Sequence, residues 1–400
     1  MEQIYIIASL WLALAILSAI IAYHIGISVS LIEICVGVAT MAVAGQLGKA
    51  DALGTDLEWL KFLGSAGAVI LTFLAGAELD PIVMKTKIKE VLVVGIIGFA
   101  APFAGCWALA YLLIGWSLQA SLLCGVALST TSVAVVYAVM LSRGLNKTEY
   151  GKGVLGACFV NDIITVLALS FLFSPFTLKT LIFVGLTAVA LATLPLMTRF
   201  LTRVYAYHTA AIRTKWIIFV LFALGALALW SGSEAVLPAY LAGMVLAGSA
   251  AKDSDWIRRL RTLTVGFLTP FYFLRAGMLV SLSSILTAPL IFLILLGGKV
   301  GSKIIGLYPS IKIFRKNTKE RWYYTLMMST GLTFGTISAL FGLSHNIISQ
   351  NQYSFIVAAV IASAVVPTLI AEVAFLPKHL LPGAVGQQDS LLEDEIIDEG

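Results

Sequence analysis

Thirteen apolar runs separated by short polar breaks cover nearly the whole chain: 4–23, 28–48, 62–80, 91–114, 118–142, 149–173, 178–202, 215–232, 234–250, 262–283, 286–308, 322–343 and 353–376. Runs of about 18 residues or more, rising about 1.5 Å per residue, cross a hydrocarbon core of about 30 Å, so each is predicted to be a transmembrane helix. An odd number of spans puts the two termini on opposite sides. Only Ser231-Gly232-Ser233-Glu234 separates the eighth run from the ninth, and fusing them would reverse that parity. No basic stretch precedes the first run and no small-residue cleavage pattern follows it, so it is expected to be a retained helix and not a signal peptide.

Charge tests this count, because Lys and Arg in short loops favour the cytoplasmic side. With the N-terminus outside, the outer loops hold only Lys49, Lys61 and Lys179, whereas the inner loops and the C-terminal flank hold 20 of the 26 basic residues. The asymmetry predicts an N-out, C-in protein of the cell membrane. It also accounts for the net charge of +5, so no nucleic-acid partner is implied. Composition agrees: 60% of residues are hydrophobic and 12% charged, against about 25% charged in soluble domains. Cys35, Cys106, Cys124 and Cys158 all lie in apolar runs without disulfide or metal-ligand spacing.

The sixth run carries a carboxylate, Asp162, near its middle. A charge at that depth costs at least about 2.5 to 3.5 kcal/mol, so it normally faces protein or a water-filled cavity and acts on ions or protons. Arg275, Lys299 and Lys303 are the basic residues within spans, and Glu33, Glu78, Asp80, Glu234 and Glu372 the other acids at depth or at span ends. Asp80, Glu33 and Glu234 are explained by proximity to the interface. Lys299 and Lys303 are four apart and share a helix face. A lysine that met Asp162 or Glu372 would be neutralised, and a cation arriving at the aspartate would then displace it.

The fifth run contains Ser129-Thr130-Thr131-Ser132, and hydroxyls at successive positions cannot all belong to one packing face. Such a patch supports a local helix break whose hydroxyls and freed carbonyls offer oxygen ligands to a dehydrated cation; the alternative is hydroxyls bonded back to their own helix. The twelfth run repeats the feature as Ser329-Thr330-Gly331-Leu332-Thr333-Phe334-Gly335-Thr336. Each interruption is fifth in a set of six spans, with the seventh as connector. That arrangement predicts an all-α polytopic membrane protein of about 13 helices, with two inverted six-helix repeats and discontinuous crossing helices. Thr187, in the connector, is expected to face lipid.

Taken in order, Leu-Ala-Gly-Ala-Glu-Leu-Asp-Pro (74–81), Gly-Val-Ala-Leu-Ser-Thr-Thr-Ser (125–132), Asn161-Asp162, Lys303-Ile-Ile-Gly306 and Ser-Thr-Gly-Leu-Thr-Phe-Gly-Thr (329–336) resemble the monovalent cation:proton antiporters, in the branch holding bacterial sodium/proton antiporters and potassium efflux systems. The resemblance implies a homodimer with a dimerisation domain (1–80 and 215–283), an ion-transporting core (91–173 and 286–376), a connecting helix (178–202) and an acidic cytoplasmic tail (377–400). It implies that Asp162 is the carboxylate that binds Na+ or K+, with Asn161 beside it, and that Lys303 matches the family's core lysine; the hydroxyl runs and the charges at depth add Thr130, Thr131 and Ser132 as candidate ion ligands and Lys299, Glu372 and Thr333 as core support or charge compensation. Members with Asp-Asp at this pair are typically electrogenic and those with Asn-Asp often electroneutral; this chain combines Asn161 with a lysine. It is also expected to lack the nucleotide-binding domain of glutathione-gated potassium efflux systems, since no Gly-x-Gly-x-x-Gly unit is present.

The leading expectation is a secondary antiporter exchanging cytoplasmic Na+ for external H+ by competition at Asp162, with K+/H+ exchange as the alternative and no cofactor beyond the transported ions. An intramembrane enzyme would need a base within reach, yet His24, His208, His345 and His379 lie at span ends, in loops or in the tail. A channel would have little need for a titratable aspartate and a lysine in its core.

Overall fold

The computed structural model describes residues 2–25, 29–77, 87–145, 148–173, 178–205, 211–233, 235–252 and 254–381. Expectations placed on Glu78, Asp80, Lys85, Lys147, His208, Glu234 and the acidic stretch 387–400 lie outside the described residues. The described chain is helical without strands: α1 (Glu2–Ile25), α2 (Val29–Gln46), α3 (Glu58–Ala77), α4 (Ile88–Ala108), α5 (Leu118–Ser129), α6 (Val133–Ser142), α7 (Glu149–Phe173), α8 (Leu178–Tyr205), α9 (Ile212–Ser231), α10 (Val236–Lys252), α11 (Ser254–Leu263), α12 (Thr269–Met278), α13 (Leu282–Thr287), α14 (Pro289–Lys312), α15 (Thr318–Met328), α16 (Thr333–Ser344) and α17 (Gln350–Ile370).

Every one of the thirteen runs has a helical counterpart. Among the described residues ten helices are long and apolar enough to cross a membrane, counting Thr318–Ser344 as one. The eighth and ninth runs are separate helices, because Gly232 adopts a left-handed φ of 78° and its N–H closes on the carbonyls of Ala228 and Leu229. The tenth run differs from expectation. Its helix begins at Ser254, well before residue 262, with the amphipathic α11, passes through a π turn at Thr264–Leu268 and ends at Met278.

The chain folds into two compact units. The first comprises Met1–Pro81, Ile163–Pro289 and Ile337–Phe355. Lipid tails are as apolar as leucine, so membrane helices associate through close packing, which favours small residues at crossings. Here α2 meets α12 at Gly37 and Gly277: a Cβ on either would overlap a backbone carbonyl, of Leu274 or of Ile34. Helices α3 and α10 meet in the same way at Gly76 and Gly243, against the carbonyls of Tyr240 and Phe73. Trp11, Leu60, Phe271 and Met278 fill the core beside them, and Trp11 Nε1 donates to the Leu53 carbonyl at 3.0 Å. On α8 the buried positions are Phe183, Thr187, Leu194 and Thr198, a single helical face. Thr187 is therefore buried and not lipid-facing as expected; Thr193 is the exposed threonine of this helix.

The second unit comprises Ile82–Asp162, Leu290–Thr336 and Ile356–Gly400. Its core gathers Val154, Ala157 and Cys158 of α7, Leu307 and Ile311 of α14, and Tyr323, Tyr324, Met327 and Met328 of α15. The tyrosine hydroxyls are satisfied by backbone: Tyr324 donates to Gly153 O at 3.1 Å and Tyr150 to Glu320 O at 2.8 Å.

Candidate functional site

The second unit contains two helix breaks. Helix α5 ends at Ser129, Thr130 is extended (φ −61°, ψ 152°), and α6 starts at Val133. Helix α15 ends at Met328 and α16 starts at Thr333. The breaks meet through a backbone bond, Ser132 N–H to Thr330 O at 3.2 Å. Each break leaves C-terminal carbonyls that no helical N–H can reach, with the negative end of a half-helix dipole behind them.

Most of the hydroxyls are spent on those ends. Ser129 Oγ donates to Val126 O, Thr130 Oγ1 to Ala127 O, Ser329 Oγ to Thr325 O and Thr330 Oγ1 to Met327 O, at 2.7 to 2.9 Å. Ser132 Oγ accepts from Val135 N–H at 3.3 Å and so caps α6. Thr131 differs, since its hydroxyl leaves its own segment and donates to Met328 O at 2.8 Å. Thr333 is half-buried, and its carbonyl accepts from Thr336 Oγ1 at 2.9 Å.

Both lysines of α14 are fully buried and reach the breaks. Lys303 Nζ donates to Met328 O at 2.6 Å, Thr131 Oγ1 at 2.7 Å and Thr130 O at 3.3 Å. Lys299 Nζ donates to the same Thr130 carbonyl at 3.1 Å. Cations at the carboxyl ends of half-helices offset the dipole, and two lysine side chains stand beside two such ends. Neither lysine lies within ion-pair distance of Asp162 or Glu372; the carbonyls of the breaks accept from both.

Asp162 and Asn161 are buried on α7 in the same unit. Asn161 Nδ2 donates to Ser129 O at 3.4 Å, which links α7 to the first break. One turn before Asp162, Cys158 Sγ lies 3.4 Å from Met328 Sδ, at the second break. Asp162 Oδ1 is buried without a hydrogen-bond partner among the described residues. Among those residues no group of three or more His, Cys, Asp or Glu side chains could hold a resident metal.

Glu372 stands apart from the lysines. It sits in a π turn that follows α17 (Ala371–Phe375), pairs with Arg143 Nε at 2.6 Å and accepts from Tyr323 OH at 2.7 Å. Sequence reasoning missed this triad and a second charged group in the same unit: Arg315 clasps Glu90 with two 2.9 Å bonds and lies 3.9 Å from Glu149, which pairs with Lys87. Interfacial residues far apart in sequence carry no periodic signal that would join them. Arg275 belongs to the first unit, where Nε donates to Thr55 O at 2.9 Å and the side chain lines a cavity of about 620 Å³ with Asp56, Lys61 and His345.

A family model described as sodium/hydrogen exchanger, transmembrane, matches residues 10–375. Similar relatives include the probable Na+/H+ antiporter 3 of Methanocaldococcus jannaschii, 25% identical over 335 residues, covering 80% of this chain and 85% of that one. The Na+/H+ antiporter of Enterococcus hirae is 26% identical over 365 residues, 82% of this chain and 90% of that one. The glutathione-regulated potassium-efflux system protein KefC of Salmonella arizonae is 24% identical over 349 residues, 78% of this chain but 53% of that one. In fold, the chain is similar to the sodium proton antiporter MjNhaP1 from Methanocaldococcus jannaschii at pH 8, with a TM-score of 0.71 at 15% identity, covering 94% of this chain and 97% of that one.

Proposed function

Because this chain belongs to the sodium/hydrogen exchanger family, we propose that it is a secondary antiporter that exchanges cytoplasmic Na+ for external H+ by competition at Asp162. The observation that carries the reading is the buried Asp162 Oδ1 without a partner. An ionised carboxylate oxygen left bare in a low-dielectric interior is costly. Either a proton or a monovalent cation removes that cost, and one occupant excludes the other. Alternating exposure of such a site to the two sides yields exchange. K+ in place of Na+ is the second reading, supported by the similarity to a protein named for potassium efflux.

On this reading 91–173 and 286–376 form the moving core, 1–80 and 215–283 the dimerisation domain, and the two broken helices are corresponding parts of inverted repeats. The N-terminus is outside and the C-terminus cytoplasmic, as the loop charges favour.

The test is dissipation of a preset pH gradient in proteoliposomes by added Na+ or K+. Asp162→Asn should abolish cation-dependent dissipation while the protein still elutes as a folded species. Wild-type exchange by that variant at saturating cation would sink the assignment.

A further inference from the structure

Among the described helices, α11 has the sharpest division of apolar from charged positions. Trp256, Ile257 and Leu260 are buried on one face, and Arg258, Arg259 and Arg261 are exposed on the other. The apolar face is fastened within the first unit, where α11 packs against α3, α9 and α10. The Trp256 ring lies 6.3 Å from that of Phe73, and the Arg213 guanidinium stands 5.5 Å from the Trp256 ring centre. Arg213 Nε donates to Thr202 Oγ1 at 3.0 Å and Trp216 Nε1 to Thr198 Oγ1 at 3.2 Å, which joins the end of α8 to the start of α9. These contacts bring the exposed Arg199, Arg203 and Lys215 to the same end of the unit as the α11 arginines. Directly after those arginines, Leu263, Val265 and Phe267 are exposed apolar side chains. Such side chains belong in hydrocarbon, so the arginines one turn before them stand at the level of lipid headgroups.

Selection of membrane side asks only that basic residues lie in one set of loops. It does not ask that they share a helix face or that acids be kept away from them. In the second unit the corresponding basic residues are matched with carboxylates: Lys87 with Glu149, Arg143 with Glu372 and Arg315 with Glu90. In the first unit, residues 199–215 and 252–261 carry eight Lys or Arg against two acids, Asp253 and Asp255, a surplus of six positive charges. An anionic membrane surface is the complement of such a surplus at headgroup depth, and a guanidinium matches phosphate with two parallel bonds. We propose that α11, together with Arg199, Arg203 and Lys215, is a binding surface for the headgroups of anionic phospholipids, and that such lipid stabilises the first unit. The proposal stands apart from the antiport reading and from the orientation of the termini, since it needs only anionic lipid in the leaflet that α11 meets.

The test is a lipid titration of the full-length protein in detergent, read by melting, which needs no transport. Phosphatidylglycerol should raise the melting temperature, whereas phosphatidylcholine with the same acyl chains should not, with or without inorganic phosphate. Each basic side chain near an anionic surface is worth about fivefold in binding. The triple variant Arg258→Gln/Arg259→Gln/Arg261→Gln should therefore need on the order of 100-fold more phosphatidylglycerol for half the stabilisation. Lysine at the same three positions keeps the charge and should keep most of the response. Lys312→Gln/Lys316→Gln/Lys319→Gln removes equal charge from exposed positions of the second unit and should titrate as the wild type does. If the α11 glutamine variant does not fold, Arg199→Gln/Arg203→Gln/Lys215→Gln makes the same comparison, with a loss of the same order expected. No response to phosphatidylglycerol in the wild type overturns the proposal, as does an unchanged titration in the variant that folds or an equal loss in the second-unit control. Stabilisation by inorganic phosphate without anionic lipid would make the surface a site for soluble anions and would also overturn it.

Discussion

A Cβ on Gly331 would fall on the Nζ of Lys299. The second helix break is therefore open at this residue not only for backbone freedom but because a lysine head occupies the space a side chain would take.

Gly331→Ala is expected to force Lys299 off the Thr130 carbonyl and to destabilise by about 1 to 3 kcal/mol, the usual cost of overpacking. Thermal melting in detergent reads this. Combined with Lys299→Ala the loss should be clearly less than the sum of the single losses, because contacting residues couple. Additive losses would mean that the two side chains do not compete for one space.

Thr131 is the hydroxyl that joins the two breaks, donating to Met328 O and accepting from Lys303. Thr131→Val keeps the shape and removes the oxygen, leaving a buried N–H of Lys303 unmet at a cost of about 1 to 3 kcal/mol. Apparent cation affinity should weaken, and Thr131→Ser should restore most of it. Thr193→Val, on the exposed face of α8, serves as the control. Equal effects at both positions would leave Thr131 no role in the site.

How far the sequence reaches is clear from these residues. Apolar length locates the spans, and the hydroxyl runs locate both breaks, because membrane burial penalises each polar group strongly enough to leave a mark in the letters. The partners of those groups are less legible. The hydroxyl run predicts oxygens at Thr130, hydroxyl or freed carbonyl, without saying which does what; the hydroxyl donates to Ala127 O and the carbonyl accepts from Lys299 and Lys303. For Lys303 the letters offer Asp162 or Glu372 as possible partners but do not point to Met328 O, to which its Nζ donates. Which of several oxygens a flexible lysine selects depends on a few ångströms of helix offset, and periodicity does not encode that.

The glycine crossings of the first unit make a separate prediction. Gly277→Ala and Gly243→Ala each place a methyl group against a facing carbonyl, that of Ile34 or of Phe73. Backbone cannot step aside as a side chain can, so each substitution should lower the melting temperature more than Gly185→Ala, where no atom lies within 4 Å of the new Cβ. Three equal melting temperatures would count against close packing at these crossings.

Glu90 and Arg315 form a bidentate pair in the second unit. Both side chains are largely buried, 6% and 14% exposed, and two parallel 2.9 Å bonds hold them. Breaking a buried pair by removing one partner leaves the other charge uncompensated, at a cost of about 3 to 5 kcal/mol. Glu90→Ala or Arg315→Ala should therefore each be strongly destabilising, and the double variant little worse than either alone. The pH dependence follows from Arg315. Burial works against its charge, but the bond to Glu90 and the charges of Glu90 and Glu149 outweigh burial and hold its proton more tightly than in an ordinary arginine. A cation with a raised pKa keeps its stabilising contribution below its unfolded value, which for arginine is about 12.5 or more, and loses it only as pH rises through the still higher folded value. The coupling between the two residues should accordingly stay flat from about pH 6 to about pH 9, as measured by melting of the four members of the cycle. A coupling that collapsed as pH rose within that window would show that the guanidinium is not the group holding Glu90.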